Sequence, residues 1–319
     1  LAAVDFAAER GLQYIELDAG WYGPEMFMSS DATKVAEGKD LDFKALCDYA
    51  ATKGIGVWVY VNQRALIQQL DDILPLYKKW GIKGIKFGFV QVGNQFWTIW
   101  LHNAVRKCAD YGIMVDIHDE YRPTGLSRTL PHLMTQEGIA GNETMPDARH
   151  NTTLPFTRFL AGPADYTPCY FNNRVKATHG HQLAMPVVYY SPITFLYWYD
   201  TPQLYRGEKE LDFWKHVPTT WDETYPIDGQ IGEYVAIARR SGQKWFVGVM
   251  NGMDARTLSL PTEFLQRGKK YVVTLYEDDP DLDTRTKVAT RQKTIKGGQS
   301  LKLELQASGG AAMEIEKAP

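Results

Sequence analysis

The densest group of side chains able to do chemistry lies between Val115 and Glu143, in the segment VDIHDEYRPTGLSRTLPHLMTQEGIAGNE. Its acidic, basic and histidine residues are Asp116, His118, Asp119, Glu120, Arg122, Arg128, His132, Glu137 and Glu143. Carboxylates that share one cleft suit glycoside hydrolysis, where an acid protonates the leaving oxygen and a carboxylate acts on the other face. They equally suit a hard cation such as calcium, which prefers oxygen ligands. Alternatively, any single one of these carboxylates forms a surface ion pair with Arg122 or Arg128 and has no role in a site.

Signatures of several other chemistries are absent from the sequence. It contains no Walker loop, GxGxxG or GxSxG, and GWYGPE lacks the spacing of a phosphate cradle. His179 and His181 form an HxH pair without a third zinc ligand at usable spacing, which favours a surface or substrate-contact role. Cys47, Cys108 and Cys169 show neither metal nor disulfide spacing.

Four segments that surround these residues share one pattern: the end of a helix, a glycine, and a short apolar strand. They are AAERGLQYIELD, AATKGIGVWVYV, YKKWGIKGIKFGFV and KCADYGIMVDIHD. The glycines Gly11, Gly54, Gly81 and Gly112 stand where a helix C-cap places one. Repeated units of this kind predict a parallel sheet with helical connections.

Polar residues follow each predicted strand, and this favours a (β/α)8 TIM-type barrel, whose strand ends meet at the face that carries the site. The residues are Asp18, Trp21 and Tyr22; Asn62 and Gln63; Lys86 and Gln91; and His118, Asp119 and Glu120. Weaker strand candidates at 139–142, 164–168 and 187–191 bring the number to seven. We therefore expect an N-terminally incomplete barrel whose first βα element lies upstream of Leu1.

The pattern changes near Thr224. Segments such as KKYVVTLYEDD and SLKLELQ alternate apolar and polar residues with period two, separated by Gly, Asp or Asn turns. The sequence therefore predicts a barrel over 1–224 and an antiparallel β-sandwich domain over 225–319.

The composition narrows the possible partners. Lys and Arg total 35 against 38 Asp and Glu, a formal charge of −3, so no basic stripe is available for nucleic acid. No apolar run reaches the roughly 20 residues that span a bilayer. The N-terminal LAAVDFAAERG has no basic region typical of a signal peptide.

The ordered motifs HDEYRPTG, RTLPHLMTQEGIAGNE and LPFTRFLAGPADYTP resemble glycoside hydrolase family 97, and ELDAGWY, WDET and GEYVAIAR are similar to it as well. The resemblance covers about residues 5–317. It implies a catalytic barrel and a C-terminal β domain, with an N-terminal β-sandwich in cis that this chain lacks. It also implies calcium-dependent hydrolysis of terminal α-glycosidic bonds in an oligosaccharide or α-glycoside, as an α-glucosidase or α-galactosidase, and a periplasmic or secreted location.

The resemblance further implies roles for individual residues. Retaining members carry an aspartate nucleophile where this chain has Gly88, so the chain looks like the inverting branch. Asp119 matches the base and a calcium ligand, Glu143 the general acid, and Glu137 another calcium ligand. We also expect Glu143 to contact the calcium. The expected substrate-binding residues are Asp18, Trp21, Lys86, His118 and Arg122.

One departure from the inverting pattern opens two alternatives. The second base carboxylate, expected after the third barrel strand, is replaced by Asn62 or Gln63, and an amide cannot act as a base. Glu120 is a candidate substitute, although consecutive strand residues point to opposite faces. The alternatives are a catalytically weak or silent carbohydrate-binding barrel and a retaining α-galactosidase.

Overall fold

Five parallel strands form one sheet in the computed structural model, which describes residues 1–319. They follow one another in the order β1–β2–β3–β4–β5, so each strand pairs with the next one along the chain. The strands are β1 (Tyr14–Leu17), β2 (Gly56–Asn62), β3 (Gly84–Gly88), β4 (Met114–Ile117) and β5 (Leu133–Gln136). The helices around them are α1 (Ala2–Glu9), α2 (Phe43–Thr52), α3 (Gln63–Trp80) and α4 (Gln95–Asp110). The parallel α/β sheet predicted from the four repeated units is confirmed.

Glycines separate these helices from the strands as the pattern predicted. All four cap-region glycines have positive φ, and Gly81 directly caps α3 in the left-handed conformation with φ of 96°. This conformation is open to glycine without a Cβ penalty, which allows an abrupt turn from helix to strand.

Aromatic rings of one strand lie over glycines of the next. A Cβ at Gly56 would come within 2.6 Å of the Tyr14 ring, and one at Gly84 within 2.3 Å of Trp58. A Cβ at Gly88 would come within 1.9 Å of the Tyr60 ring. These glycines are therefore required by close packing, because any side chain would overlap a ring.

The three weaker strand predictions are wrong. Residues 139–142 contain a turn, and 164–168 have no regular secondary structure. Residues 187–188 end helix α6 (His179–Val188), in which Gly180 through Val188 are all buried. The prediction of a surface or substrate-contact role for the HxH pair is also wrong for His181. His181 lies in α6 with no exposed surface, between the Gly309 carbonyl and the Asn151 amide. The described residues thus contain the four strands predicted from the repeated units and a fifth, β5, that was not predicted, and closure into a barrel stays a prediction.

The C-terminal part is antiparallel, as predicted. Its strands are β6 (Glu223–Gln230), β7 (Tyr234–Ser241), β8 (Lys244–Asn251), β9 (Arg256–Leu260), β10 (Lys270–Asp278), β11 (Val288–Lys296), β12 (Leu301–Leu305) and β13 (Gly310–Lys317). Six form one sheet in the order β11–β10–β13–β8–β7–β6, and β12 pairs with β9 in a second. Apolar side chains from both sheets, including Leu258, Leu303, Val247 and Met313, share one buried core.

The chain divides into two compact units. One contains Leu1–Ile139 and Pro163–Asp165; the other contains Ala140–Gly162 and Tyr166–Pro319. The second unit therefore includes the β domain together with α5 (Ala148–Thr153), α6 and α7 (Asp212–His216). A domain boundary after residue 224 stays a prediction. None of the helices combines the length and the apolar character needed to traverse a bilayer.

Candidate active site at the strand ends

Two neighbouring strands deliver carboxylates to one edge of the parallel sheet. Strand β4 ends at Ile117 and is followed by His118 and Asp119, while β5 is followed by Glu137. The Glu137 N–H donates to the Ile117 carbonyl at 2.9 Å, which extends the pairing past the strand ends. Ligand atoms of His118, Asp119 and Glu137 all lie within 4.8 Å of one another. The structure thus brings together these three predicted site residues.

The backbone around Asp119 is unusual. Asp119 has φ of 60°, and Phe89, which directly follows β3, has φ of 49°. Residues other than glycine adopt this conformation infrequently, and such positions concentrate at functional sites. The turn after Phe89 directs the Val90 N–H to the Asp119 Oδ2 at 3.2 Å. The Asp119 carboxylate is therefore held by the segment that leaves the neighbouring strand.

His118 lies between two carboxylates. Its Nδ1 is 3.1 Å from Glu137 Oε2, and its Nε2 is 3.2 Å from Asp165 Oδ2. Burial and Lys86 lower the pKa of His118, but the hydrogen bond with Asp165 and the charges of Asp116 and Asp165 outweigh them and raise it to about 10. An imidazolium can donate from both nitrogens, so this geometry matches the charged form.

Further charged groups lie within the same sheet. Lys86 on β3 is 2% exposed, and its Nζ lies 3.4 Å from Oδ1 of the exposed Asp18, which follows β1. Asp116 on β4 is fully buried. Burial, reinforced by Asp165, raises the pKa of Asp116 well above its ordinary range. Lys86 and Asp18 are therefore paired, and their predicted role in substrate binding stays a prediction.

Glu16 in the middle of β1 carries a carboxylate whose two oxygens are buried without a hydrogen-bond partner. Burial raises the pKa of Glu16 from 4.5 to about 8, although Lys86 opposes the shift. Because this pKa exceeds that of the unfolded chain, protonated Glu16 stabilises the fold fully below pH 4.5. The contribution is lost as the pH rises through about 8.

We therefore expect Glu16→Gln to stabilise the protein in mild alkali. The free energy of unfolding at about pH 8.5 should rise by ~1–3 kcal/mol, since the neutral amide removes a buried charge. The gain should disappear well below pH 4.5, where parent Glu16 is protonated in both the folded and the unfolded state. Urea unfolding at several pH values measures this, with Glu9→Gln on exposed α1 surface as the control. A gain independent of pH would contradict the assignment.

Glu120 and Arg122 follow in an exposed turn. The Arg122 guanidinium donates to the Glu120 backbone carbonyl at 3.1 Å, so the contact does not neutralise the Glu120 carboxylate. Both side chains are exposed. Their predicted roles, in base catalysis and substrate binding respectively, stay predictions.

The structure corrects the prediction that Trp21 binds substrate. The residue is 3% exposed, and its ring packs edge-on against Tyr22 and Phe43. Its indole N–H donates to the Tyr60 carbonyl at 2.7 Å. Trp21 is a core residue with no ring face open to a sugar.

The two amides at the predicted base position stabilise the site backbone. The Asn62 Oδ1 caps α3 by accepting from the Arg64 N–H, and its Nδ2 donates to the Tyr60 hydroxyl at 3.1 Å. The Gln63 Oε1 accepts from the Gln91 N–H at 2.5 Å. Gln63 therefore fastens the segment after β3, a role that an amide fills without acid–base chemistry.

Tyr60 occupies the space in which a side chain at position 88 would lie. A Cβ on Gly88 would come within 1.9 Å of Cε2, 2.4 Å of Cζ and 2.5 Å of the hydroxyl oxygen. Tyr60 itself is 4% exposed. The β3 end therefore presents no carboxylate and has no room for one.

Glu143 belongs to the second compact unit. It lies in a turn over residues 142–144 and is partly exposed. The turn is fixed on its N-terminal side, where the Asn142 N–H donates to the Tyr166 carbonyl at 3.0 Å and the Asn142 side chain donates to Gln182 at 2.9 Å. Whether Glu143 joins Asp119 and Glu137 in one cavity stays a prediction.

The donors near Asp119 fit a calcium ion in part. Asp119 and Glu137 supply carboxylate oxygens, which calcium prefers, whereas His118 faces Glu137 as a hydrogen-bond donor. Calcium takes six to eight oxygens. Asp119 and Glu137 would therefore form only part of a complete coordination shell.

Sequence reasoning missed Asp165 and Tyr60. Asp165 comes from the segment expected to be a strand at 164–168, and its partner His118 is 47 residues away. Tyr60 reads as an ordinary apolar strand residue. The available signals were the ADYTP motif and the glycine at position 88, and neither specifies a partner by spacing.

Two family models match the chain. The glycoside hydrolase 97 model matches residues 2–139, and the glycosyl-hydrolase 97 C-terminal, oligomerisation model matches 220–316. The chain is 33% identical over 337 residues to a retaining alpha-galactosidase of Bacteroides thetaiotaomicron, covering 99% of this chain and 50% of the relative. It is 33% identical over 321 residues to a probable retaining alpha-galactosidase of Streptomyces bingchenggensis, covering 97% and 48%.

A solved structure agrees with these matches. A glycoside hydrolase family 97 enzyme from a Pseudoalteromonas species, in complex with panose, has a TM-score of 0.89 and 26% identity. The match covers 99% of this chain and 55% of that one. The chain thus spans about half the length of the relatives it matches. From the two family models together, the curated relatives and the shared fold, the chain belongs to glycoside hydrolase family 97.

Proposed function

We propose that this protein hydrolyses terminal α-glycosidic bonds, with Glu143 as general acid and Asp119 as general base. The observation that carries the proposal is the juxtaposition of Asp119 and Glu137 at adjoining ends of β4 and β5, within a family 97 fold. The relatives' names, alpha-galactosidase for the curated proteins and a panose complex for the solved one, support an α-glycoside as substrate. A periplasmic or secreted location is part of the same proposal and rests on the family alone.

The proposed reaction is a single displacement. Asp119 accepts a proton from a water molecule while the water oxygen bonds to the anomeric carbon. The bond from that carbon to the leaving oxygen breaks, and Glu143 donates its proton to that oxygen. The anomeric configuration is inverted, and a later proton exchange restores both carboxyl groups.

Inversion is supported by the space around Gly88. A retaining enzyme needs a nucleophile that forms a glycosyl-enzyme, and glycine supplies none. The Tyr60 ring fills the space that a carboxylate there would need. The attacking oxygen in the proposed reaction therefore comes from water.

We also propose that the activity depends on calcium, held by Asp119, Glu137 and Glu143. Bound calcium would stabilise negative charge near the reacting water. The Val90 N–H donates to the Asp119 carboxylate and orients it, and the His118 Nδ1 orients the Glu137 carboxylate in the same way. Both carboxylates are thus oriented by the protein's own donors.

Retaining alpha-galactosidase is the second candidate, because both curated relatives carry that name. It would require a nucleophile other than residue 88. A silent carbohydrate-binding barrel is the third, favoured by the amides Asn62 and Gln63 where the inverting pattern has a second base.

We expect the β-anomer of the released sugar to form first from an α-glycoside. Proton NMR of the early product, in the full-length protein with p-nitrophenyl α-glucoside and α-galactoside, measures this directly. EDTA should abolish the rate and calcium should restore it. An initial α-anomer would establish retention, and binding without turnover would establish a silent barrel.

A further inference from the structure

Asp165 is a buried carboxylate at the strand ends, and its ligand atoms lie within 4.8 Å of those of Asp116 and His118. It is 1% exposed, and its Oδ2 lies 3.2 Å from His118 Nε2. The other nitrogen of the same ring faces Glu137 Oε2 at 3.1 Å. Asp165, His118 and Glu137 thus form a chain of three buried groups, in which the first and last are joined through the imidazole.

The backbone places Asp165 beside β5. Its N–H donates to the Gln136 carbonyl at 3.2 Å, and Gln136 is the residue directly before Glu137. Residues 163–165 belong to the compact unit that contains the parallel sheet, whereas the residues directly before and after them belong to the other unit. This short segment therefore delivers a carboxylate to His118 from outside the strand pattern.

A ring with a donor nitrogen on each side is fixed in direction only while both acceptors are present. Removal of Asp165 would leave the Nε2 side of His118 without this acceptor in a buried environment, where an unmatched donor is costly. The ring would then turn to find another acceptor, and its Nδ1 would leave Glu137. Carboxylates that orient an imidazole in this way tune the groups at metal and catalytic sites.

We infer that Asp165 is a positioning residue, which holds the His118 ring so that it orients the Glu137 carboxylate at the candidate site. Asp165 acts through the imidazole and does not touch the sugar. The importance of Glu137 for turnover rests on the proposed function, whereas the coupling between Asp165 and Glu137 does not.

The coupling can be tested by thermal unfolding alone. Asp165→Ala and Glu137→Ala should each lower Tm, and the double variant should melt ~2–4 °C higher than the sum of the two losses predicts. The same cycle in a His118→Gln background should be additive, because the connecting imidazole is gone. Additive losses in the parent background would overturn the inference. If Asp165→Ala does not fold, Asp165→Asn replaces it in the cycle.

Activity gives a second readout. Asp165→Ala should lower kcat/KM ~10–100-fold, the usual range for residues that orient a site group. The control is Asp200→Asn, because Asp200 is a carboxylate that accepts from the backbone N–H groups of Tyr170 and Phe171, outside this cluster. It should lower Tm and leave kcat/KM unchanged. If the parent protein is inactive, the proposed function is refuted and the unfolding cycle alone decides the role of Asp165. If both variants lose kcat/KM equally, Asp165 has only a structural role.

Discussion

Replacement of Glu143 by glutamine should lower kcat on substrates with poor leaving groups by roughly 100-fold or more, within the range for general acid catalysis. Glutamine keeps the shape and the hydrogen-bonding capacity of the side chain but has no acidic proton to transfer. A sugar alkoxide leaves slowly without that proton, whereas an activated aryl oxide needs little protonation. The same substitution should therefore cost much less on 2,4-dinitrophenyl glycosides. Steady-state kinetics on an oligosaccharide and on the activated aryl glycoside measure the two losses.

The control for this experiment is Glu9→Gln. Glu9 is exposed on α1, outside the candidate site, so it reports any general effect of replacing a glutamate by glutamine. Equal losses on natural and activated substrates in Glu143→Gln would show that Glu143 is not the acid. The role would then move to Glu137 or Glu120, and the substrate comparison in their glutamine variants would identify which.

The parallel sheet could be predicted because its signals are local. A glycine that ends a helix and an apolar run that follows it are both visible in one stretch of sequence, and β2 and β3 consist of such runs. Polar residues just past these strands had to lie at one edge, because parallel strands end on the same side. The proximity of Asp119 and Glu137 could not follow from that rule, because β5, the strand that precedes Glu137, was not among the predicted strands.

The remaining elements depend on tertiary contacts that leave weak local traces. Strand β5 has only four residues, LMTQ, and owes its strand conformation to pairing with β4. The run VVYY near residue 187 is rich in β-branched and aromatic residues, yet its first two residues end a helix. A short, wholly apolar run has no periodicity that distinguishes buried helix from buried strand.

The contacts of the candidate site likewise depend on the tertiary structure and leave weak signals in the local sequence. Trp21 was expected at the substrate because it follows a strand, but its N–H donates to the Tyr60 carbonyl and its ring packs edge-on against Tyr22 and Phe43. Asp165 contacts His118, which is 47 residues away in the sequence, and Tyr60 on β2 covers Gly88 on the neighbouring strand β3. Such contacts depend on side-chain size and strand register, which single positions in the sequence do not express.

The second prediction with a large expected effect concerns the contact between Tyr60 and Gly88. Gly88→Asp should lower the free energy of unfolding by ~3 kcal/mol or more, because overpacking alone costs ~1–3 kcal/mol and a buried carboxylate adds to it. The clash begins at the Cβ, which would lie 1.9 Å from the Tyr60 ring. The ring cannot simply move aside, because Tyr60 is 4% exposed and its hydroxyl accepts from Asn62. Urea unfolding of Gly88→Asp and Gly88→Ala separates the steric cost from that of the charge.

Removal of the ring should reverse this cost. Tyr60→Ala leaves a cavity that destabilises the protein by ~3–5 kcal/mol, in the range for buried aromatic residues. In that background Gly88→Asp places its side chain in the vacated space, so its further cost should be far smaller than in the parent. The two substitutions should therefore be strongly non-additive, as expected for residues in contact. If Gly88→Asp alone were as stable as the parent and yielded the α-anomer first, the strand end would have room for a nucleophile. The structural support for inversion would then be lost.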